Sequence, residues 1–178
     1  MRFAILALLL STLAWADEAP AYPKPTSHHL AMQAQVGTWD AVVTVRTGPG
    51  RPPMVSKGTE VNKLLLGGLW LQSEFASEML GTPFEGRGLF GYDPATGKHV
   101  GAWVDSMAMA PSYPSGTCTD GCREVTMTFA GQDMHGRNVI FKEVTVQKDP
   151  EHRTMTMFTK AKGGKFVQVM EIEYTLRK

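Results

Sequence analysis

The stretch GLFGYDPATGKHVGAWVDS, residues 88–106, contains two runs of strand-forming residues separated by a turn. Asp93 can bond the backbone that follows it, Pro94 presets φ for a type I turn, and Gly97 accepts the left-handed conformation that closes such a loop. The stretch also contains a Gly-Lys pair. A phosphate-binding P-loop has four residues between its first glycine and such a pair, and a Ser or Thr after the pair. Here five residues separate Gly91 from the pair, and His99 follows it. We therefore predict a β-hairpin.

Further runs of strand-forming residues lie on both sides of this hairpin, and Gly, Pro, Asp and Asn separate them. About ten short strands at regular spacing indicate an antiparallel sandwich or barrel. A parallel sheet is excluded because it needs crossover helices. Alternate residues of a strand share one face, and this rule predicts apolar faces made of Leu69, Leu71, Ser73 and Phe75; of Val125, Met127 and Phe129; of Met155 and Met157; and of Phe166, Met170, Ile172, Tyr174 and Leu176.

One segment is predicted to be helical, SHHLAMQAQVG at residues 27–37, which Ser27 can cap and Gly37 ends. A sheet with one apolar face must close on itself or be covered, and one short helix cannot cover about ten strands. We predict an all-β fold, a single antiparallel meander β-barrel with this N-terminal helix plugging one end. Because adjacent helical residues point about 100° apart, His28 and His29 are interpreted as exposed residues of the first helical turn.

The N-terminus begins with an arginine, an apolar run and an Ala-Trp-Ala cleavage site. Residues 1–16 are interpreted as a secretory signal peptide, since the apolar run is too short for a membrane span. Residues 17–26, rich in Pro and Ala, are interpreted as an extended leader, and residues 27–178 as the barrel domain. We expect export to the periplasm or outside the cell, without membrane insertion.

The formal net charge is +1, and the basic residues are scattered along the chain. Nucleic-acid binding requires a basic patch on the protein surface. Binding to anionic lipid requires a cluster of basic residues. The charge pattern therefore argues against both kinds of partner.

Cys118 and Cys122 are the only two cysteines. In an exported protein, two nearby cysteines favour a disulfide, and the spacer Thr119-Asp120-Gly121 is suited to a turn. A redox pair usually has the spacing Cys-x-x-Cys, and a metal site would need two further ligands, which the neighbouring residues do not supply. We predict a disulfide, with no metal and no cofactor.

Two segments at the ends of the predicted barrel resemble the calycins, the lipocalin and fatty-acid-binding group. They are QVGTWD at residues 35–40, after the helix, and YTLRK at the C-terminus. In calycins a Gly-x-Trp on the first strand packs beneath a basic residue from the end of the barrel. The resemblance implies that Trp39 is buried at the closed end with Arg177 stacked on it. Leu176, however, has the parity of the apolar face, so this arrangement needs a bulge or a twist at the strand end.

A closer resemblance covers nearly all of the chain after the predicted signal peptide. VGTWD, LGGLWLQSEF, GTPFEGRGLFGYDPATGKHVGAWVDS and EIEYTLRK are similar in order and spacing to motifs of the bacterial domain-of-unknown-function family 1579. This resemblance implies the fold. The family has no established activity or catalytic residues to transfer to this sequence.

Two acidic residues on predicted inner faces are candidates for chemistry. Asp105 shares a strand face with His99 and Trp103 and can either orient the polar head of a ligand or bond backbone amides of the following turn. Glu143 lies beside Val139 and Phe141, and a carboxyl in such an apolar lining is either paired or has a raised pKa. The sequence has no nucleophile elbow, no zinc-protease motif and no dinucleotide fingerprint.

Flexible methionine side chains on the inner faces suit a cavity for an apolar guest, and a small barrel has room for one small ligand. The sequence thus predicts that a small, mainly apolar molecule binds inside. Two alternatives stay open: a cofactor-free hydrolase or isomerase that uses Asp105 or Glu143 as its base, and a filled barrel that acts as an interaction module. The predicted ligand-binding residues are Leu71, Phe75, Trp103, Asp105, Met127, Phe129, Met155, Met157 and Met170.

Overall fold

A computed structural model describes residues 22–178 except Pro49 and Lys162. The predicted signal peptide, residues 1–16, and residues 17–21 of the predicted leader lie outside the described residues. A short helix, α1 (Ser27–Ala31), continues as a 3-10 turn (Met32–Gln35). Ten strands follow in the described part of the chain: β1 (Gly37–Val45), β2 (Met54–Leu65), β3 (Trp70–Met79), β4 (Thr82–Asp93), β5 (Lys98–Asp105), β6 (Ser115–Thr119), β7 (Glu124–Gln132), β8 (Asn138–Asp149), β9 (His152–Ala161) and β10 (Val167–Leu176).

The strands form one closed antiparallel barrel in which each strand pairs with its neighbours in sequence. Closure is made by β1 and β10, with Trp39 opposite Leu176 and Val45 opposite Met170. The predicted meander barrel with a short N-terminal helix is therefore confirmed. Among the described residues, no helix is both long and apolar enough to cross a membrane.

The β4–β5 connection is the predicted hairpin. The Asp93 carboxylate accepts hydrogen bonds from the backbone N–H of Ala95 at 2.9 Å and the hydroxyl of Thr96 at 2.7 Å. Gly97 has φ of 68°, in the left-handed region that favours glycine. The Gly-Lys pair thus belongs to a turn between two strands.

The hydrophobic core lies on the side of the barrel built from β1, β3 and β10. Trp39 and Val43 are fully buried there, and Phe75, Ile172 and Tyr174 pack around them. Each of these residues has the inward parity of its strand, so alternation along the strands creates this core.

The prediction that His28 and His29 are both exposed is wrong, because α1 packs on the barrel instead of standing free. His29 is buried, and its Nδ1 accepts hydrogen bonds from the backbone N–H of Thr26 at 3.1 Å and from the Thr26 hydroxyl at 2.8 Å. The ring of His28 stacks on Tyr92 with centroids 3.9 Å apart. The helix closes this end of the barrel, which we call the helix end.

The inward position predicted for Phe166 is also wrong. The register of β10 against β9 shifts between Gln168 and Met170, and one extra residue reverses the faces on its two sides. Phe166 therefore lies outside, where the ammonium nitrogen of Lys142 is 4.9 Å from its ring centroid. The inward parity predicted for the later residues of β10 is kept, namely that of Met170, Ile172, Tyr174 and Leu176.

Arg177 does not stack on Trp39, so this prediction is wrong. Leu176 is the residue opposite Trp39; Arg177 consequently points outward and forms an ion pair with Asp40 at the surface. The cation over the Trp39 ring is Arg153 of β9, whose Cζ lies 4.7 Å from the ring centroid. Trp39 itself is fully buried, as predicted.

Candidate functional site

The two sides of the barrel differ in how completely their inner faces are filled. Along β1 and β3, buried inward residues alternate with more exposed outward residues. Along β8 and β9 this alternation is lost, because inward and outward residues alike keep intermediate exposure over most of each strand. The inward side chains of β8 and β9 are therefore covered less completely than those of β1 and β3, and we call the barrel interior beside them the inner space of the barrel.

Glu143 lies near the middle of β8 and faces this inner space. Its partners across the sheet are Met127 of β7 and Met157 of β9. Within the described residues its carboxylate has no hydrogen-bond or ion-pair partner. Burial raises the pKa of the Glu143 carboxyl to about 7, because the apolar surroundings disfavour its charged form. Of the two outcomes that the sequence left open for an inward Glu143, pairing or a raised pKa, the structure favours the raised pKa.

Aromatic and thioether groups surround Glu143 on the neighbouring strands. Phe129 and Phe141 are paired across β7 and β8, and their rings stack with centroids 4.9 Å apart. Met170 is opposite Met157, and Met155 is opposite Ile172. Apolar side chains, several of them flexible methionines, therefore lie around the carboxyl group of Glu143.

Trp103 and Asp105 both face inward, as predicted, and are bonded to each other. The indole N–H of Trp103 donates to Asp105 Oδ2 at 3.0 Å, and the backbone N–H of Met107 donates to Asp105 Oδ1 at 2.8 Å. Of the two roles open for Asp105, these bonds favour fixing the turn after β5. They also hold the Trp103 ring in one orientation.

Two glycines of β4 make room for the Trp103 ring. A Cβ at Gly86 would lie 2.1 Å from Trp103 Cζ2, and one at Gly88 would lie 2.8 Å from Trp103 Cε3. Only residues without a Cβ allow the indole to lie this close to the strand. The glycines in the EGRG segment thus determine where Trp103 sits.

The remaining predicted ligand-binding residues lie on both sides of the barrel. Leu71 and Phe75 are buried in the packed side, and Phe75 belongs to the hydrophobic core. Met127 is buried beside Glu143. The structure brings Met127, Phe129, Met155, Met157 and Met170 together on adjacent strands, whereas contact of Leu71 and Phe75 with a ligand stays a prediction.

A buried cluster of polar side chains lies between the inner space and the helix end. Arg153 and Glu60 form an ion pair there, and Asn62 donates to Glu60 at 2.6 Å. The Arg153 Cζ lies 3.9 Å from the centroid of Tyr174. Burial, reinforced by the charge of Glu60, raises the pKa of the Tyr174 hydroxyl. Tyr174 therefore stays protonated, and the polar cluster has a structural role at the base of the inner space.

A second cluster of reactive side chains lies at the helix end. Cys118 and Cys122 form a disulfide, with Cα atoms 4.8 Å apart. His28 of α1 has its Nδ1 beside both sulfurs, and His99 of β5 has its Nε2 beside the sulfur of Cys122. Burial, with repulsion from His28 and His29, lowers the pKa of His99. We call these four residues the histidine–cysteine cluster.

The sequence argument missed this cluster because its members are far apart in the chain. Closure of the barrel brings one histidine from α1 and one from β5 to the two cysteines. The inward parity of His99 was visible in the sequence. The approach of His28 depends on how the helix docks, and no local pattern encodes it.

Comparisons with other proteins establish the family and the fold. A family model described as "Protein of unknown function (DUF1579)" matches residues 24–176. No curated protein matches the sequence.

Two solved structures share the barrel. The structure of Rv2717c from M. tuberculosis is 13% identical, with a TM-score of 0.61, and the match covers 83% of this chain and 98% of that chain. The S-type phycobiliprotein lyase CPES from Guillardia theta is 9% identical, with a TM-score of 0.52, and the match covers 86% of this chain and 98% of that chain. At these identities the likeness shows the fold alone, and the expected closed antiparallel barrel is confirmed.

Proposed function

The chain belongs to DUF1579, a family of proteins of unknown function, and from its barrel interior we propose that it binds a small, mainly apolar molecule in the inner space. The observation that carries this proposal is the partial exposure of the inward side chains of β8 and β9. Inward residues of a filled barrel would be as buried as those of β1, where Trp39, Ala41 and Val43 are at most 2% exposed.

The chemistry of the lining indicates the kind of ligand. Methionine and phenylalanine side chains offer apolar contacts, and the methionines are adaptable. Glu143 is the ionisable group among them, and Thr145 and Thr159 have the same inward parity. A carboxyl group without a partner in apolar surroundings gains from a hydrogen-bond donor. The ligand we propose therefore has an apolar body and one donor group, such as a hydroxyl or an amine, that meets Glu143.

The rim beyond β5 supports entry of an apolar molecule. Met107 and Met109, in the connection from β5 to β6, are largely exposed, as is Tyr113. This connection begins where β5 ends, opposite the helix end, and Trp103 pairs with Ser112 along it. Exposed apolar groups next to an apolar space are typical of ligand entrances.

A solved neighbour gives weaker support. The Guillardia theta protein with the same fold is a phycobiliprotein lyase by name, and a small-molecule partner for the present chain is consistent with that. One fold serves many functions, so the proposal depends on the lining residues.

We further propose that the protein acts after export. The apolar run and Ala-Trp-Ala site within residues 1–16 are typical of a cleaved signal peptide. The disulfide between Cys118 and Cys122 is consistent with an oxidising compartment.

The test is titration of the folded protein with N-phenylnaphthylamine, an uncharged dye that fluoresces in apolar surroundings. We expect one saturable site per chain, with quenching of the emission of Trp103 that a Trp103→Phe variant lacks. Mass spectrometry of molecules extracted from natively purified protein then identifies the bound compound. Failure of the folded protein to bind the dye or retain any small molecule would contradict the proposal.

A second candidate function, a cofactor-free hydrolase or isomerase, is favoured by the pKa of about 7 at Glu143. A general base works best when its pKa is near the operating pH. With ester and enolisable carbonyl substrates, turnover would rise with pH through about 7 and disappear in Glu143→Gln. Turnover that is equal in Glu143→Gln and wild type would reject this function, while dye binding would still test the carrier.

A further inference from the structure

The histidine–cysteine cluster has the composition and the geometry of a metal site. Its four ligand atoms all lie within 4.8 Å of one another. His28 Nδ1 is 3.5 Å from Cys118 Sγ and 3.2 Å from Cys122 Sγ, and His99 Nε2 is 3.7 Å from Cys122 Sγ. His99 is fully buried between α1 and the barrel, and the other three residues are partly buried there.

These distances can be compared with those of a tetrahedral zinc site. Bond lengths of about 2.3 Å for Zn–S and about 2.0–2.1 Å for Zn–N place sulfur and nitrogen ligands about 3.5 Å apart. The three sulfur–nitrogen distances in the cluster lie on both sides of this value. Three residues separate the two cysteines, which falls within the spacing of cysteine pairs in structural zinc sites.

We propose that His28, His99, Cys118 and Cys122 bind one zinc ion when both cysteines are thiols. Two thiolates and two imidazoles complete a tetrahedral shell, so no position remains open for a substrate or an activated water. The ion would connect α1, β5 and the turn between β6 and β7. The site is therefore structural, and it fastens the helix that closes one end of the barrel.

Neighbouring residues hold the two imidazoles in place. Tyr92 stacks on His28 with an angle of 7° between the rings, and its ring meets that of His99 edge-on at 5.3 Å. His29, the next residue in α1, is held by Thr26 and leaves His28 as the histidine of the helix that faces the sulfurs. Zinc-binding imidazoles need such support to keep their orientation.

The disulfide and the zinc site are alternative states of one cysteine pair. Binding of Zn²⁺ to the two thiols releases two protons and forms two Zn–S bonds. In the disulfide the sulfurs are bonded to each other and offer no thiolate. Conversion requires a two-electron reductant; with a water-soluble phosphine, one phosphine and one water give the phosphine oxide and two thiols.

The experiment uses the mature protein, reduced anaerobically with a phosphine and then freed of it. Zinc is titrated against a chromogenic chelator, and bound metal is counted by mass spectrometry. We expect one zinc per chain in reduced protein and none after oxidation to the disulfide. Cobalt(II) in place of zinc should give the intense visible bands of a tetrahedral site and sulfur-to-metal charge transfer in the near ultraviolet.

His28→Ala and Cys122→Ser are the test variants, because both side chains are less buried than His99. Each should weaken zinc binding by at least about 100-fold, since loss of even an outer-shell partner costs 10–100-fold. His152→Gln, an exposed histidine that contacts Asp149, is the matched control and should bind as wild type does. Circular dichroism of each metal-free variant checks that the barrel is folded.

Three results would overturn the proposal. The first is that reduced wild-type protein takes up no zinc at micromolar concentrations, and the second is that His28→Ala binds zinc as tightly as the control. Zinc bound equally by the oxidised protein would show that the cysteines are not ligands.

Discussion

Arg153 and Glu60 form an ion pair across the inside of the barrel, with only 4% and 8% of their side chains exposed. The guanidinium of Arg153 also lies over the rings of Trp39 and Tyr174. Asn62 bonds the same carboxylate oxygen as Arg153 and is bonded in turn to the backbone of Gln35, beyond α1. The buried pair thus connects β2 with β9, and Asn62 extends the connection to the 3-10 turn that precedes β1.

Replacing Arg153 should therefore be costly. Arg153→Met leaves Glu60 buried without a counter-charge, and the free energy of unfolding should fall by about 3–5 kcal/mol. Urea denaturation followed by circular dichroism measures the change. Arg177→Met is the control, because the pair with Asp40 is about half-exposed and solvent screens it, so its loss should change stability far less than the loss of Arg153. Equal losses in both variants would contradict the structural role of Arg153.

Glu143 should make stability depend on pH. Burial raises the pKa of its carboxyl from about 4.5 to about 7, so between these values the folded protein binds more protons than the unfolded chain. Stability should therefore fall as pH rises through this window. Each pKa unit corresponds to about 1.4 kcal/mol, and partial access of solvent reduces the total to about 1–3 kcal/mol.

Glu143→Gln should remove this dependence. The variant should be more stable than wild type by about 1–3 kcal/mol near pH 8 and nearly equal near pH 4. Urea titrations at both pH values measure the difference, with exposed Glu124→Gln as the control. A pH dependence that is the same in wild type and Glu143→Gln would show that this carboxyl titrates normally.

Filling the inner space should abolish dye binding. Met157→Trp adds volume directly beside Glu143, so N-phenylnaphthylamine should lose its saturable site while strand content is kept. Thr156→Trp places the same ring on the outward face of the same strand and should leave binding intact. Undiminished binding by folded Met157→Trp would place the dye site elsewhere.

Adding even one methyl group at Gly86 should destabilise the protein. The added methyl of Gly86→Ala would overlap the Trp103 ring, so the indole must move and lose its bond to Asp105. Overpacking of this kind costs about 1–3 kcal/mol, and near-ultraviolet circular dichroism should report the displaced indole. Leu89→Ala, on the outward face of β4, should change stability by about 0.5 kcal/mol or less. Normal stability and spectrum in Gly86→Ala would contradict the close contact.

Alternation along the strands predicted the architecture and most inward residues. Successive side chains of a strand point to opposite faces, so the apolar face of each strand shows a two-residue period in the sequence. This alternation placed Trp103, Asp105 and Glu143 on the inner face. It failed at Phe166, since a bulge changes parity without a local signal in the sequence. The partner of Trp39 could have been found by parity, which puts Arg153 on the same face as Met155; the resemblance to calycins pointed to Arg177 instead.

The exposure of the β8–β9 wall and the meeting of His28 with His99 and the cysteines were beyond the reach of the sequence. Both depend on how a closed barrel distributes its packing and on where α1 docks. Neither property is encoded in any window of neighbouring residues. The sequence could identify inward residues but could not tell which of them border free space.

Closure through β1 and β10 also determines when the protein can fold. The groups that cover Trp39, among them Arg153 of β9 and Tyr174 of β10, come from strands more than 100 residues further along the chain, so its environment is incomplete until those strands have been synthesised. Pairing between the two ends of a chain gives a high contact order, for which folding takes on the order of milliseconds to seconds. Until then one edge of β1 has no strand beside it and is open to pairing with other chains. We therefore expect the unpaired edge of β1 to be the part of the unclosed chain that is most exposed to wrong pairing.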